Sequence, residues 1–517
     1  MHKIKLPAFY YLDNFIQLLD HVFEYNKAVF REDDFDDFLK FKDLSKNAQA
    51  LFTRFLMRKG NYFRPTKIVY KEIPNIAECL VELEAVNFIS WDVPVEEKIK
   101  LFTKPELCDL FPDFKLKALP RAQIDEVLIG HVEQITERVL ALERDFFVFR
   151  LLYFGNAHQD LSEFILNDLG IYQYENYSLS QGFIKSEEEL SEFLRFYESI
   201  AEYDSEAPHE FLENHQIIKS DNRVLKRRLN KFYFRLGRQL ERKKFLDQAL
   251  EIYELSTYSG ERKARVLAEQ KRYEEMEAQC LKILRTSQND QEHKFARFFL
   301  AKNAKYLKSD YKKESPFIAR TETIQLDQTE LSVEMSSCEY FSQFGKCYYS
   351  ENLWIKALFG LFFWEVIFAD VSGAFSHPFQ HRPHDLYEDD FCEVRKDLIE
   401  EVFNSDFTWE KGEGIFDEKF GLSNSFVAWN LVKKENLRLA IESFEEAQLK
   451  SIFREFLKDL RAKPKGFPDL ILFPEQGGVE LIEIKGPGDR LQKHQSTWLE
   501  FFDKQGIKAR VVNVQWN

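Results

Sequence analysis

Apolar residues recur every three to four positions over much of the chain, and this period predicts helices. The pattern is clear near the start in Phe15, Leu18, Leu19, Val22 and Phe23, which would share one face of a helix. Near the C-terminal end it gives way to short runs of strand-forming residues. With 517 residues, the chain should hold several domains. We expect a multidomain, mainly α protein that ends in an α/β domain.

Residues 222–310 have the pattern of paired helices in tetratricopeptide-like (TPR-like) repeats. Gly237, Ala249 and Tyr253 have the small-small-aromatic spacing of such a unit, and Ala268 and Cys280 repeat the first two 31 residues later. The usual repeat is about 34 residues long. The sequence therefore predicts degenerate helical repeats.

The first helix of these repeats concentrates positive charge. Between Arg223 and Lys244 there are ten Lys and Arg residues against one acid, Glu241. Five cations at steps of three and four share one face, namely Arg228, Lys231, Arg235, Arg238 and Arg242. The opposite face is apolar and should be buried, with Leu225, Leu229, Phe232, Leu236 and Leu240. Because exposed faces normally mix both signs of charge, phosphate binding is favoured over a merely solvated face.

A weaker signal for nucleic-acid binding lies in residues 101–132. Two helical stretches flank a basic turn there, which is the plan of a SAP-type DNA-binding module. Lys115, Lys117 and Arg121 are the candidate contacts to a DNA backbone.

The composition limits the other classes of protein. The net charge of −15 argues at first against DNA binding, but a whole-chain sum does not describe local fields. We find no signal peptide and no apolar run long enough for a membrane span. The six cysteines are scattered, which fits free thiols in a reducing compartment better than disulfides or zinc. Three histidines lie close together at His377, His381 and His384. Their spacing, with two prolines between them, does not suit a tetrahedral zinc site and favours a structural loop or a DNA contact.

The most informative stretch is residues 466–485. An apolar run at 467–473, a Gln-Gly-Gly turn and a second strand-like run at 479–484 predict a hairpin. Asp469 and Glu483 lie seven residues either side of position 476. They should therefore be cross-strand neighbours, within one residue, at about 5 Å.

Two carboxylates at that separation repel each other unless a cation lies between them. Ligands that are all oxygen select a hard ion, so Mg²⁺ or Mn²⁺ is implied rather than zinc. Glu483 and Lys485 are two residues apart and point to one face of their strand, while Ile482 and Ile484 point to the other, buried face. Lys485 could position or help deprotonate the attacking water, and the carbonyl of Ile484 could be a further metal ligand.

A helix should follow the hairpin. Gly486-Pro487-Gly488 forces a loop, Asp489 is the expected N-cap, and apolar residues then recur at helical spacing up to Phe502. Gln495 and Lys493 on this helix could reach the substrate or water. Residues 509–514 predict a closing strand, which gives a small α/β core with the site at one edge.

These residues resemble the virus-type replication-repair nuclease domain (VRR-NUC), a branch of the PD-(D/E)xK superfamily. More specifically, the chain resembles the Fanconi-anaemia-associated nuclease family. The C-terminal run from Glu483 to Trp498 is nearly the family's string, and Glu351 with the following Leu-Phe-Gly-Leu-Phe-Phe-Trp run resembles the family's helix. Segments near Phe9 and Leu56 also fit. The match extends over nearly the whole chain and is typical of a short, bacterial-type member.

The resemblance implies a metal-dependent, structure-specific DNA repair nuclease, a phosphodiesterase I-type enzyme. It would cut near 5′ flaps and junctions, digest DNA from 5′ ends and act in interstrand crosslink repair. It adds Glu351 as the fourth catalytic residue beside Asp469, Glu483 and Lys485, with metal bound by the three acids and Ile484. It also implies a 5′-phosphate pocket that uses Arg242 and either Arg262 or Arg265.

The combined interpretation divides the chain into five segments. They are a helical DNA-binding region (1–95), a SAP-like module (96–145), a connecting region (146–221), TPR-like repeats (222–310) and the VRR-NUC domain (327–517). The polar stretch at 310–325 is the expected boundary before the last domain. A junction resolvase and a repeat adaptor with a vestigial nuclease fold are the alternative functions. The expected partner is branched or 5′-flap DNA, and no association with a membrane is expected. The location would be the nucleoid of a bacterium or the nucleus of a eukaryote. Oligomerisation on DNA is left open.

Overall fold

The computed structural model describes residues 7–159, 161, 173–179, 182–204, 206–287, 289–313, 315 and 317–517. Residues 160, 162–172, 180, 181 and 205 of the predicted connecting region lie outside those ranges. The chain divides into two compact units, residues 1–172 with 181–187 and residues 173–180 with 188–517. Within the described ranges, no helix has the length and apolar character needed to cross a bilayer.

The first unit is mainly helical, as its apolar period predicts. Its helices are α1 Tyr10–Asn26, α2 Glu32–Asp43, α3 Lys46–Leu56, α4 Ile76–Ala85, α5 Val95–Lys100, α6 Lys104–Leu110, α7 Arg121–Leu128 and α8 Phe147–Phe154. A small antiparallel sheet has the strand order β1-β3-β2, with β1 Tyr62–Phe63, β2 Ile89–Ser90 and β3 Leu140–Leu142. The apolar run at 146–154 forms the helix α8.

The segment predicted as SAP-like has a small apolar core of its own. Residues from α5, α6 and α7 meet in it, with Ile99, Phe102, Leu107, Ile124 and Leu128 almost fully buried. Lys115 and Lys117 lie exposed between α6 and α7. Arg121 instead donates to the carbonyls of Phe102 and Ile99, both at 2.9 Å. The Arg121 side chain is thus engaged in holding this module together.

The second unit begins with paired helices. They are α9 Glu187–Tyr203, α10 Pro208–Asn214, α11 Arg223–Arg242, α12 Leu246–Tyr253, α13 Gly260–Glu269, α14 Tyr273–Thr286 and α15 Asp290–Asn303. The five apolar residues predicted to line the buried face of α11 are all buried. A Cβ atom at Gly237 would lie 2.5 Å from the Tyr253 ring. The small residue therefore allows α11 and α12 to pack closely, as in a TPR-like hairpin.

The rest of this unit is a five-stranded sheet with helices. The strands are β4 Thr321–Leu326, β5 Gly345–Tyr349, β6 Leu470–Pro474, β7 Glu480–Lys485 and β8 Lys508–Trp516. Their order is β4-β8-β7-β6-β5, and β8 is parallel to both β4 and β7. The helices are α16 Val333–Phe341, α17 Leu353–Phe362, α18 Trp364–Ile367, α19 Lys396–Asn404, α20 Trp409–Lys419, α21 Lys434–Ser443, α22 Glu446–Leu457 and α23 Lys493–Lys504.

Both faces of this sheet are covered by apolar residues. Ile482 and Ile484 face a smaller cluster with Phe341 of α16. Leu481 and Ile471 face the larger core, which is built around α17, α18 and α22. The run at 357–368 is mostly buried, and Phe363 separates it into two helices.

Three details differ from the expectations. The strand β4 occupies residues 321–326, part of the stretch taken as a polar boundary, so the sheet includes residues before 327. The strand β7 pairs with β6 and β8, and the predicted small core is extended by β4 on one side and β5 on the other. Asp489 is not the N-cap of α23, since that helix begins at Lys493 and Asp489 accepts from the Gly486 amide at 3.0 Å.

Candidate active site

Asp469 and Glu483 lie opposite each other where the predicted hairpin opens. The strands β6 and β7 pair Leu470 with Ile482 and Leu472 with Glu480. Continued by one residue, this register puts Asp469 across from Glu483, as the sequence predicted. The turn between the strands includes Gly477, whose φ of 88° is readily adopted only by glycine.

A backbone hydrogen bond fixes the Asp469 side chain. The amide of Ile484 donates to its Oδ2 at 2.8 Å. A strand residue directs its N–H and its carbonyl to the same neighbouring strand. The Ile484 carbonyl therefore also faces Asp469, which suits its predicted role as a metal ligand.

Glu483 and Lys485 form a buried ion pair on β7. The Lys485 Nζ lies 2.7 Å from the Glu483 Oε1, and the two residues are only 8% and 1% exposed. Gln495 of α23 donates its side-chain amide to the same Glu483 oxygen. Gln495, predicted to reach substrate or water, thus contacts the acid; Lys493 is exposed.

Glu351 reaches the site from the turn between β5 and α17. Its amide and that of Ser350 both donate to the carbonyl of Asp469 at 3.0 Å. Its carboxylate accepts from Tyr349 at 3.2 Å and from Asn352 at 3.1 Å. The φ of Glu351 is 41°, a left-handed conformation that is costly outside glycine and is concentrated at functional sites.

Two residues at the site carried no signal in the sequence. Tyr349 ends β5 next to Glu351 and is 45% exposed. Glu334, in the first turn of α16, contributes a negative charge that acts on both Asp469 and Tyr349. Neither residue stands in a recognisable motif, and only the fold of β5 and α16 beside β6 brings them near the site.

Burial and neighbouring negative charges disfavour the charged forms of Asp469 and Glu483. Burial, with the charges of Glu334 and Glu351 adding to it, raises the pKa of Asp469 to about 6. Burial, with the charge of Asp469, raises the pKa of Glu483 to about 7. A bound cation would reverse both effects, because it favours the carboxylates.

The donor set fits a hard divalent ion. The acids and the Ile484 carbonyl offer only oxygen, the preferred ligand of Mg²⁺ and Mn²⁺. Across the described ranges, however, no three His, Cys, Asp or Glu side chains already stand together as a metal-binding group. The Glu483 carboxylate is directed at Lys485 and Gln495, so it would have to turn towards Asp469 to bind the same ion.

The basic face of α11 is partly neutralised within the same unit. Arg223 and Arg227 pair with Asp390, and Lys231 lies 2.6 Å from Glu388. Arg228 donates to the Tyr197 hydroxyl, and burial lowers its pKa. The N-terminal half of this helix is therefore engaged with acids and aromatic rings rather than left open.

The C-terminal half of α11 keeps an excess of positive charge. Arg238 and Arg262 both pair with Glu241, the one acid of the stretch. Arg242 is exposed, and within the described residues it has no ion pair. Two further predicted cations contact aromatic rings, since Arg235 lies over Tyr203 and Arg265 over Phe295, while Arg265 also pairs with Glu261.

Two of the three histidines in the 377–384 segment contact neighbouring groups of the protein. His377 is 2% exposed, and the His384 ring lies 3.0 Å from the Ser376 hydroxyl. Burial lowers the pKa of His384 to about 4. The loop interpretation therefore suits these two histidines better than a zinc site.

Comparison with known proteins agrees with the fold. The VRR-NUC domain model matches residues 411–516, and the FAN1 HTH domain model matches residues 9–90. A Fanconi-associated nuclease 1 homolog of Pseudomonas aeruginosa is 31% identical, over 98% of this chain and 96% of that protein. The chain belongs to the Fanconi-associated nuclease family. As such it is a structure-specific DNA repair nuclease of the divalent-metal-dependent PD-(D/E)xK type.

More distant Fanconi-associated nucleases and solved structures support the same assignment. The homolog of Oryza sativa is 23% identical over 98% of this chain, which covers 62% of that longer protein. The crystal structure of paFAN1 bound to 2nt 5′-flap DNA with a gap has a TM-score of 0.87 at 29% identity and covers 99% of both chains. A second structure, of paFAN1 bound to 1nt 5′-flap DNA with a gap, has a TM-score of 0.83.

Proposed function

We propose that this Fanconi-associated nuclease hydrolyses phosphodiester bonds near 5′ flaps, with Asp469, Glu483 and the Ile484 carbonyl as ligands of Mg²⁺ or Mn²⁺. The supporting observation is the meeting of Asp469 and Glu483 across β6 and β7, with Ile484 donating to one and Lys485 to the other. A divalent ion bound there would polarise a phosphoryl oxygen and make a bound water more acidic. Glu351 would complete the acidic ligand set.

Lys485 is the residue best placed to position or help deprotonate the attacking water and to offset the negative charge of the phosphate. Its ammonium is held by Glu483 at 2.7 Å and is therefore delivered in a fixed position. If Glu483 bound a metal ion instead, the ammonium would be free to hold the attacking water or a phosphate oxygen. Gln495 can keep one Glu483 oxygen in place during that change, because it binds from α23 rather than from the same strand.

The free 5′ end would be recognised on the helical repeats. Arg242 is exposed, and Arg238 and Arg262 converge on a single acid next to it. Two guanidinium groups share the Glu241 carboxylate and Arg242 adds an unpaired charge within the described residues, so net positive charge remains, and arginine suits the geometry of phosphate. A pocket at a fixed distance from the metal would let the enzyme measure nucleotides from the end, which accounts for 5′-to-3′ exonuclease action.

The substrate is proposed to be a short 5′ flap on a duplex, as in the two paFAN1 complexes. Lys115 and Lys117 are exposed and are proposed to contact the duplex backbone. Repair of interstrand crosslinks is the proposed cellular task, carried out at the chromosome.

The test is cleavage of end-labelled DNA with Mg²⁺ or Mn²⁺, comparing the wild type with Asp469→Ala. We expect metal-dependent cuts near the junction of a 5′ flap, lost in the variant, while DNA affinity changes by no more than about threefold. Asp503→Ala, which removes an acid from the far end of α23, is the matched control. Loss of binding together with cleavage would count against the assignment, and preference for a four-way junction would favour a resolvase.

A further inference from the structure

Two lysines lie beside the candidate active site without an acidic partner. Lys356 is on α17, five residues after Glu351, and Lys465 is in the loop four residues before Asp469. In the part of the chain that the structure describes, neither ammonium takes part in a hydrogen bond or an ion pair. Other lysines of this domain, such as Lys419 and Lys434, contact carboxylates.

The loop that carries Lys465 is fixed against α17. The amide of Phe467 donates to the Asn352 Oδ1 at 3.0 Å. Lys356 is four residues beyond Asn352 and therefore on the same face of the helix. Both lysines thus belong to the one surface where this loop meets α17.

The loop is also fixed against α23. The Trp498 indole N–H donates to the carbonyls of Lys463 and Lys465, both at 3.1 Å. Gly466 has a φ of 73°, and a Cβ atom there would lie 2.0 Å from the His494 ring. These contacts hold the backbone of Lys465 in place, and its ammonium is near enough for its charge to act on Lys356.

The two positive charges oppose each other. Burial, together with the charge of Lys465, lowers the pKa of Lys356. Holding two like charges together at a partly buried surface costs free energy unless an anion lies between them. In a nuclease the available anion is the substrate backbone, and lysine is a common point-charge ligand of phosphate.

We propose that Lys356 and Lys465 bind one phosphodiester of the substrate strand that lies beside the phosphodiester being cut. The inference rests on the proposed function and extends it, because it assigns a binding site for an intact phosphate separate from the metal ligands. Its role is to fix the strand against the Asp469 side of the site.

The first experiment measures affinity for 5′-flap DNA in the full-length, non-cleaving Asp469→Asn background at several salt concentrations. Replacing Lys356 or Lys465 with Gln should each reduce the slope of log K against log salt by about 1, and the double substitution by about 2. Lys504→Gln removes an equal charge from the end of α23, where Lys504 pairs with Glu500, and should leave the slope unchanged. An unchanged slope in the double variant would overturn the proposal.

A second experiment locates the phosphate. Neutral methylphosphonate groups are placed one at a time on either side of the incision, and binding by the Asp469→Asn protein with and without the two lysine substitutions is compared. At one position the replacement should weaken binding severalfold only when the lysines are present, which is the signature of a direct pair. Equal effects at every position would contradict the proposal.

The outcomes separate this inference from the proposed function. If the wild type cuts flap DNA and the lysine variants bind as it does, only the lysine site is wrong. If the folded wild type neither binds nor cuts flap DNA, the proposed function fails, and the lysine site fails with it. Thermal unfolding checks the fold: the Gln variants should be at least as stable as the wild type, because like-charge repulsion is removed.

Discussion

The Ile484 amide donates to the Asp469 carboxylate at 2.8 Å, across the open end of β6 and β7. This contact joins the two halves of the nuclease motif through the backbone of the residue between Glu483 and Lys485. The position of one acid is therefore set by the strand that carries the other. Distortion of either strand would move both acids, so the site should be sensitive to substitutions that change backbone geometry nearby.

The raised pKa values of Asp469 and Glu483 predict that the metal-free enzyme loses stability as pH rises. The unfolded chain releases these protons at about pH 4, whereas the folded chain holds them until about pH 6 and 7. The folded state thus binds more protons in this window, and stability falls from pH 4 to about pH 7. We expect Asp469→Asn to be more stable than the wild type at pH 8 in EDTA, but little different at pH 4.5.

Chemical unfolding of both proteins at the two pH values measures this difference. Added Mg²⁺ or Mn²⁺ should stabilise the wild type at pH 8 and affect Asp469→Asn less, because ligands stabilise the state that binds them. Asp503→Asn serves as the control for charge. A wild type that is the more stable protein at pH 8 without metal would contradict the prediction.

Gln495 is expected to act by positioning Glu483. Gln495→Ala should lower activity or metal affinity about tenfold to a hundredfold, the usual cost of losing a partner of a metal ligand. The measurement is cleavage rate against metal concentration, with a rightward shift that a general loss of stability would not produce. Gln505→Ala, at the other end of α23, should leave the curve in place. If Gln495→Ala and the wild type gave the same dependence of cleavage rate on metal concentration, Gln495 would have no part in the mechanism.

Tyr349 is expected to orient Glu351 through its hydroxyl. Tyr349→Phe keeps the ring but removes the donor at 3.2 Å, so kcat should fall severalfold while KM for flap DNA changes little. Tyr348→Phe is the matched control, because neighbouring residues of a strand point to opposite faces and the Tyr348 ring packs on Trp354. If both variants lose the same amount of activity, the effect belongs to the strand and not to Glu351.

Gly466 should tolerate no side chain. Gly466 and Gly477 both have positive φ, but only Gly466 has a neighbour within reach, the His494 ring. Gly477→Ala should cost about 1 kcal/mol from backbone conformation alone. Gly466→Ala should cost more than Gly477→Ala and also reduce cleavage, because it pushes the loop before Asp469 away from His494. Urea unfolding of the two variants tests the order, and equal midpoints would refute it.

The hairpin and its register could be predicted because local information specifies them. A Gly-Gly turn between two apolar, strand-forming runs fixes which residues face each other, so Asp469 and Glu483 could be paired from the sequence. The buried face of α11 followed from its period in the same way. Glu351 needed the family resemblance, since its place at the site depends on contacts with a residue 118 positions later.

What escaped prediction depends on long-range packing. The polar sequence of residues 310–325 predicts a boundary, yet it includes most of β4, a strand in which only Ile324 is buried. Its pairing with β8 joins segments almost two hundred residues apart. Likewise, the acids that neutralise Arg223, Arg227 and Lys231 lie in the 385–390 segment, which no local pattern connects with α11. Hydrophobic periodicity and residue propensity predict one helix or strand at a time, and they do not identify the element against which it packs.

The position of β8 between β4 and β7 also bears on when the enzyme becomes active during synthesis. Residues 508–516 leave the ribosome after every other strand of the sheet, yet they must join β4 to β7 before the sheet is continuous. A nascent chain can thus finish its N-terminal helices and repeats long before it can cut. A message truncated upstream of β8 would encode a protein that retains the helical repeats and lacks a finished active site, and such a protein could compete with the intact enzyme for damaged DNA.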